Sequence, residues 1–271
     1  MTTDSRPRRR LTRRQRARAF RAVQYALLAL AVVVFALVAD WSRIREAFFD
    51  TEIIRELFPE LLTTALKNTV LYTLCAFAFG FVLGLVVALM RLSPVAAYRA
   101  LATLYVEFFR GVPALLVLIA FGYGIPVALN TELPGGVLGT ITVALGLVAA
   151  AYMAETFRAG IQAVPKGQME AARSLGMSQS RAMVSIIIPQ AFRIILPPLT
   201  NELILLTKDS SLVYLLGVTL PTRELAKFGR DALNQYVSMT PILIAGLAYL
   251  IITVPLGILV RRLEARQAQA R

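Results

Sequence analysis

EAARSLGMSQSRAMVSIIIPQAFRIILPPLTNELILLTKDSSL, residues 170–212, is a polar, charged segment that passes directly into an apolar one. Its first half carries a glycine at position 176 and belongs in water. Its second half is apolar yet keeps Asn201, Glu202, Lys208 and Asp209. Met169, Ala172 and Leu175 before the glycine, and Met183, Ile186 and Ile187 after it, recur at helical spacing. The pattern predicts two short amphipathic helices turned at Gly176, the residue type that accepts a positive φ after a helix end. Pro189, Pro197 and Pro198 should break the chain before the next apolar run. A helix–glycine–helix hairpin at a membrane surface suits insertion into a groove of a partner, although spacing alone equally allows an ordinary interfacial loop.

The remainder of the 271 residues says which membrane architecture surrounds this segment. The chain is 57% hydrophobic and 17% charged, with mean hydropathy +0.66, which places it among membrane proteins. The formal charge of +13 sits in short segments between apolar runs, as in cytoplasmic loops, and does not point to nucleic acid. No histidine and a single cysteine, Cys75, exclude a Cys/His zinc site, a Ser-His-Asp triad and an internal disulfide. The four lysines, Lys67, Lys166, Lys208 and Lys227, lie outside any GxxxxGK[ST] context. An ATP-driven process would therefore take its ATPase from another chain.

In order, residues 1–21 are a basic tail with nine arginines against Asp4, and 22–39 are an apolar run of spanning length. The tail should stay in the cytoplasm. Residues 40–60 read as an external amphipathic linker, with Ile44, Ala47, Phe48, Ile53 and Leu57 on one face and Trp41 at the interface. A second span, near 66–90, holds Gly80 and Gly84, a pair that permits close helix approach. The third apolar region, 100–129, is interrupted by Gly111, Pro113, Gly122, Gly124 and Pro126 and contains Glu107 and Arg110, three apart and able to neutralise each other. Residues 130–136 form an external turn. A fourth span near 137–159 holds a second such pair, Glu155 and Arg158. The last spans fall near 194–218 and 241–260, joined by an external loop over 222–235, and 263–271 form a basic cytoplasmic tail. Six helices result, with both termini inside.

YVEFFRGVP (105–113), AYMAETFRAGIQAVPKGQMEAARSLGMS (151–178), IIIPQAFRIILPPLTNE (186–202) and LLTKDSSL (205–212) together resemble the membrane subunits of binding-protein-dependent ABC importers, the polar amino-acid subfamily in particular. The resemblance covers about residues 60–262 and leaves the first helix outside the minimal five-helix core. It implies an all-α, polytopic helix bundle of the type I importer (MetI-like) fold, with a permease core over 61–262 and a coupling loop near 164–190. It implies a multi-pass protein of the cytoplasmic (inner) membrane that pairs with an identical or related permease half. Two ATPase subunits would bind beneath, holding the ATP and Mg while this chain holds no cofactor, and an external solute-binding protein would deliver substrate. Glu170, Ala171, Ala172, Leu175 and Gly176 would form the coupling helix and its turn. Glu107, Arg110, Glu155, Arg158, Asn201, Lys208 and Asp209 are the expected gate or substrate path. Within that set, Asp209 could meet Arg110 or Arg158, and Lys208 could meet Glu155 or Glu107; structural ion pairing is the competing reading. An ATP-independent channel or secondary carrier is the rival function, and a membrane-embedded enzyme is disfavoured for want of a nucleophile or metal cluster.

Overall fold

In the computed structural model, which describes residues 13–269, the chain divides into two compact units meeting at Phe49–Asp50. The first unit contains helix α1 (Arg13–Val38) and helix α2 (Trp41–Phe48). Asp40 caps α2, its Oδ1 accepting from the Arg43 amide at 3.1 Å. Trp41 Nε1 donates to the Ala36 carbonyl at 2.7 Å, which fixes the corner between the two helices. The helix begins well before residue 22, because the arginines at 13–21 are good helix formers. Residues 1–12 of the basic tail and 270–271 at the other end lie outside the described residues.

The second unit is a helix bundle. Helix α3 (Thr51–Glu60) is capped by Asp50 and runs through a π-helical stretch, Leu61–Leu66, into α4 (Lys67–Leu92). The bundle continues with α5 (Ala96–Gly111), α6 (Ala114–Ile119), a π-helical turn Ala120–Gly124, α7 (Ile125–Leu129) and α8 (Gly136–Ala163). Then come α9 (Lys166–Ser174), α10 (Gln179–Ala182), α11 (Ile188–Asp209), α12 (Leu225–Tyr236) and α13 (Thr240–Gln269). Among the described residues of both units, five helical runs are long and apolar enough to cross a membrane, and the α5 and α6–α7 pair makes a sixth, bent by 101°. The bend sits at Val112, which Pro113 forces out of the helical region to φ −94°, ψ 132°.

Helices α4 and α8 form the centre and run parallel. Gly80 lies against Gly146 and Ala149, Gly84 against Ala150 and Met153, and Arg91 against Glu155. A Cβ at Gly84 would stand 2.9 Å from the Ala150 carbonyl oxygen, so the close approach depends on glycine. Because the two helices are parallel, the α4–α5 corner and the hairpin after α8 lie at one end of the bundle, and α12 lies at the other.

Two expectations from the sequence give way here. Of the expected loop over 222–235, residues 225–235 are helix. Glu224 accepts from the amides of Ala226 (2.6 Å) and Lys227 (2.8 Å), and Leu225, Phe228 and Ala232 pack into a cluster with Ile53, Leu57 and Ile244. The same cluster draws residues 51–60, expected as linker, into the bundle. Nor do Pro197 and Pro198 break the chain: α11 runs through both. The carbonyl of Arg193, which the missing amide of Pro197 would leave empty, accepts from Gln267 Nε2 on α13.

Glu224 is fully buried and also accepts from Tyr249 Oη at 2.9 Å. Burial pushes its carboxyl up to about 7, only partly offset by the two amides. An acid whose folded pKa is raised binds its proton more tightly in the folded state, so stability is greatest at acid pH and falls as pH rises towards 7. Thermal unfolding in detergent should show a midpoint that declines as pH rises from 4.5 to about 7, reflecting a loss of stability on the order of 3 kcal/mol at most. Glu224→Gln should flatten that slope; an unchanged slope would mean that another group titrates.

Candidate functional site

The hairpin begins where Val164–Pro165 stops α8. Helix α9 closes in a Schellman motif: the Met177 amide donates to the Ala172 carbonyl at 3.1 Å and the Gly176 amide to the Arg173 carbonyl at 3.0 Å. Gly176 takes φ +84°. No atom lies within 4 Å of a Cβ built there, so the requirement is for its backbone conformation alone. Ser178 then caps α10, accepting from the Arg181 amide at 3.3 Å. Ala172 turns inward and is buried, whereas Glu170, Ala171, Leu175 and Gly176 are exposed, Leu175 at 84%. A small apolar cluster of Val164, Ile187 and Ala191, packed by Ile161, Met169 and Met183, ties the hairpin to α8 and α11. The hairpin is therefore anchored by one face and presents the other.

The polar residues of the membrane region gather in three neighbouring cavities. One, of about 450 Å³, is bounded by Arg110, Gly111, Tyr152, Glu202 and Asp209. A second, of about 510 Å³, shares Arg110, Tyr152 and Glu202 and adds Glu155 and Asn201. The third, of about 750 Å³, lies at the α4–α5 corner and takes Glu107 and Arg158 with Arg91 and Arg99. Glu155 is held between Arg91 and Arg158, and Arg158 Nη1 also donates to Gln162 Oε1 at 2.6 Å. The Arg110 guanidinium lies over the Tyr152 ring, 5.6 Å from its centre.

The residues foreseen from the sequence thus divide. Arg110 and Asp209 share a cavity, and Arg110, Glu155 and Asn201 share the next. The Glu155–Arg158 pair forms as spacing suggested. Glu107 and Arg110, although three apart, make no ion pair among the described residues: Arg110 turns to Tyr152, and Glu107 faces the arginine-lined corner. Lys208 is exposed and borders none of the three cavities; of its two expected partners, Glu155 is already occupied by two arginines and Glu107 faces the α4–α5 corner. Two contributors were not foreseen as site residues. Glu202 borders two cavities, and its place seven residues before Asp209, two helical turns, was the signal for it. Arg91 stands 64 residues from Glu155 and left no local signal.

Comparison with known proteins identifies the family and the fold. The chain is 42% identical over 199 residues, covering 73% of it and 89% of the relative, to the "Probable glutamine ABC transporter permease protein GlnM" of Bacillus subtilis. It is 38% identical over 226 residues to the arginine transport system permease protein ArgU of Corynebacterium glutamicum, covering 79% of this chain and 67% of that one. Among solved structures, an amino acid ABC transporter with histidines superposes with a TM-score of 0.71 at 33% identity, over 80% of this chain and 98% of the other. Residues 80–269 match the family described as binding-protein-dependent transport system inner membrane component. The chain belongs to that family and is a multi-pass permease subunit of an ABC importer, a transport protein and not itself an enzyme.

Proposed function

We propose that this subunit carries polar amino acids across the membrane in an assembly powered by ATP. The relatives named for glutamine and arginine support the substrate class, and their difference in charge is consistent with selection by a separate binding protein. The observation that carries the reading is the hairpin at Gly176, anchored on one face and exposed on the other. Glu170, Ala171, Leu175 and Gly176 form the docking surface for an ATPase subunit, and Met169 in the apolar cluster fixes that surface to the bundle. Two ATPases, which hold the ATP and Mg, dock beneath this chain and a second permease half, identical or related. Closure of the ATPase pair then favours one packing of the membrane helices over another. The hairpin end, with Arg91, Arg99 and the arginines of α13, faces the cytoplasm with both termini, and the solute-binding protein approaches the α12 end.

The cavities around Arg110 form the path. Arg110 offers a cation to a substrate carboxylate, while Glu202 and Asp209 offer anions to its ammonium group. Uptake into vesicles containing this subunit, its ATPase and its binding protein should require ATP hydrolysis. Uptake that continues without the ATPase would overturn the proposal in favour of a channel or secondary carrier. Glu202→Gln and Asp209→Asn should each lower uptake by roughly tenfold while the assembly still purifies intact. Normal uptake in both variants would remove this cavity from the path.

A further inference from the structure

The 750 Å³ cavity at the α4–α5 corner is bordered by Arg91, Arg99, Thr103, Glu107, Arg158 and Gln162. It is separate from the cavities around Arg110 and is not needed for the path just described. Glu155 stands behind it, bonded to Arg91 and Arg158. Three guanidinium groups therefore face two carboxylates, Glu107 and Glu155, which leaves one positive charge. Arg99 is held in place by the chain itself: its Nη1 donates to the carbonyls of Ser93 (2.9 Å) and Pro94 (2.6 Å). A guanidinium fixed in this way gives up little further freedom when it binds an anion. Thr103 and Gln162 add hydroxyl and amide groups at the rim. Leu104 borders the cavity and is exposed at 68%, and Phe108, one turn further along the same helix, is exposed at 55%, so an apolar strip leads away from the charged cavity.

A site with one uncompensated positive charge, hydrogen-bonding groups and an adjoining lipid-facing apolar strip matches a phosphodiester that carries acyl chains. We infer that this corner binds the headgroup of an anionic phospholipid, with the phosphate between Arg91, Arg99 and Arg158 and an acyl chain along Leu104 and Phe108. A free phosphate shares the anionic chemistry but has no use for the apolar strip. A zwitterionic lipid carries no net charge to balance the site.

Native mass spectrometry of the intact subunit in detergent, offered equal amounts of phosphatidylglycerol and phosphatidylcholine, tests this directly. Phosphatidylglycerol should be retained about fivefold or more over phosphatidylcholine. Arg99→Gln should remove most of that preference, and Arg99→Lys should keep part of it. Equal retention of the two lipids by the unaltered protein, or a full preference in Arg99→Gln, would overturn the inference. So would displacement of phosphatidylglycerol by millimolar inorganic phosphate, which would identify a free-phosphate site. If the glutamine variant does not purify, a photoreactive phosphatidylglycerol applied to the unaltered protein decides: labelling within residues 91–107 supports the site, and labelling only elsewhere rejects it. Binding is read without ATP or substrate, so its outcome is independent of the transport proposal.

Discussion

Gly176→Val should cut ATP-driven uptake by roughly tenfold while the bundle folds, melts and purifies as before. The size follows from the backbone. A left-handed conformation costs a residue with a Cβ about 1–2 kcal/mol, and a β-branched residue is the worst suited to it. Space is not at issue, because nothing lies within 4 Å of the position. The variant can relieve the strain only by opening the Schellman turn, which releases the Met177–Ala172 and Gly176–Arg173 hydrogen bonds and changes the angle between α9 and α10. The apolar cluster that anchors the hairpin contains no part of the turn, so the membrane helices are spared. Gly176→Asn provides the control, since asparagine tolerates a positive φ and should retain most uptake. ATP hydrolysis measured in parallel separates lost docking from lost folding. Normal transport by the valine variant would mean that the turn does not carry the ATPase contact.

Gly84→Leu should act in the opposite way, by destabilising the bundle rather than its coupling. Its Cβ would stand 2.9 Å from the Ala150 carbonyl oxygen and 3.0 Å from the Met153 Cβ. The first of these is backbone of a central helix and cannot step aside, so α4 and α8 must separate along their length. Overpacking of this kind costs about 3 kcal/mol, or a fall of roughly 8 °C in the melting midpoint. Gly124→Ala, where a Cβ meets open space, should shift the midpoint little. A melting midpoint of Gly84→Leu within a degree or two of the unaltered protein would show that α8 contact is not what holds α4.

Much of this was legible because it is local. Apolar length set the spans, Gly80 and Gly84 four apart marked a close helix approach without naming α8 as its partner, and a glycine after an amphipathic run set the turn at 176. The three-residue spacing of Glu155 and Arg158 predicted their pair, but the same spacing misled at Glu107 and Arg110, where the Tyr152 ring supplied a better-placed partner for the cation. What was missed depends on groups distant in sequence. Arg223 pairs with Glu60, and its guanidinium lies 4.9 Å from the centre of the Phe228 ring; these contacts bury a segment whose balanced charges looked solvated. Tyr72 and Asn68 on α4 bind the carbonyls of residues 221–223, which turns a nominal loop into a docked one. The prolines of α11 misled for a related reason: proline rules describe a lone helix, and here a residue of α13 satisfies the carbonyl left open.

That last contact also says how motion can pass along the molecule. Helix α11 rises directly from the hairpin for about 33 Å, and without support it would fold at Pro197–Pro198 like a jointed rod under load. Gln267 ties the N-terminal side of the joint to a neighbouring continuous helix. Packing of α11 against α13, with this hydrogen bond as a brace beside the prolines, favours movement of the two as one body, so a displacement at the hairpin is expected to reach Asn201, Glu202 and Asp209. Removing the brace with Gln267→Ala would leave both ends intact and lose stroke between them.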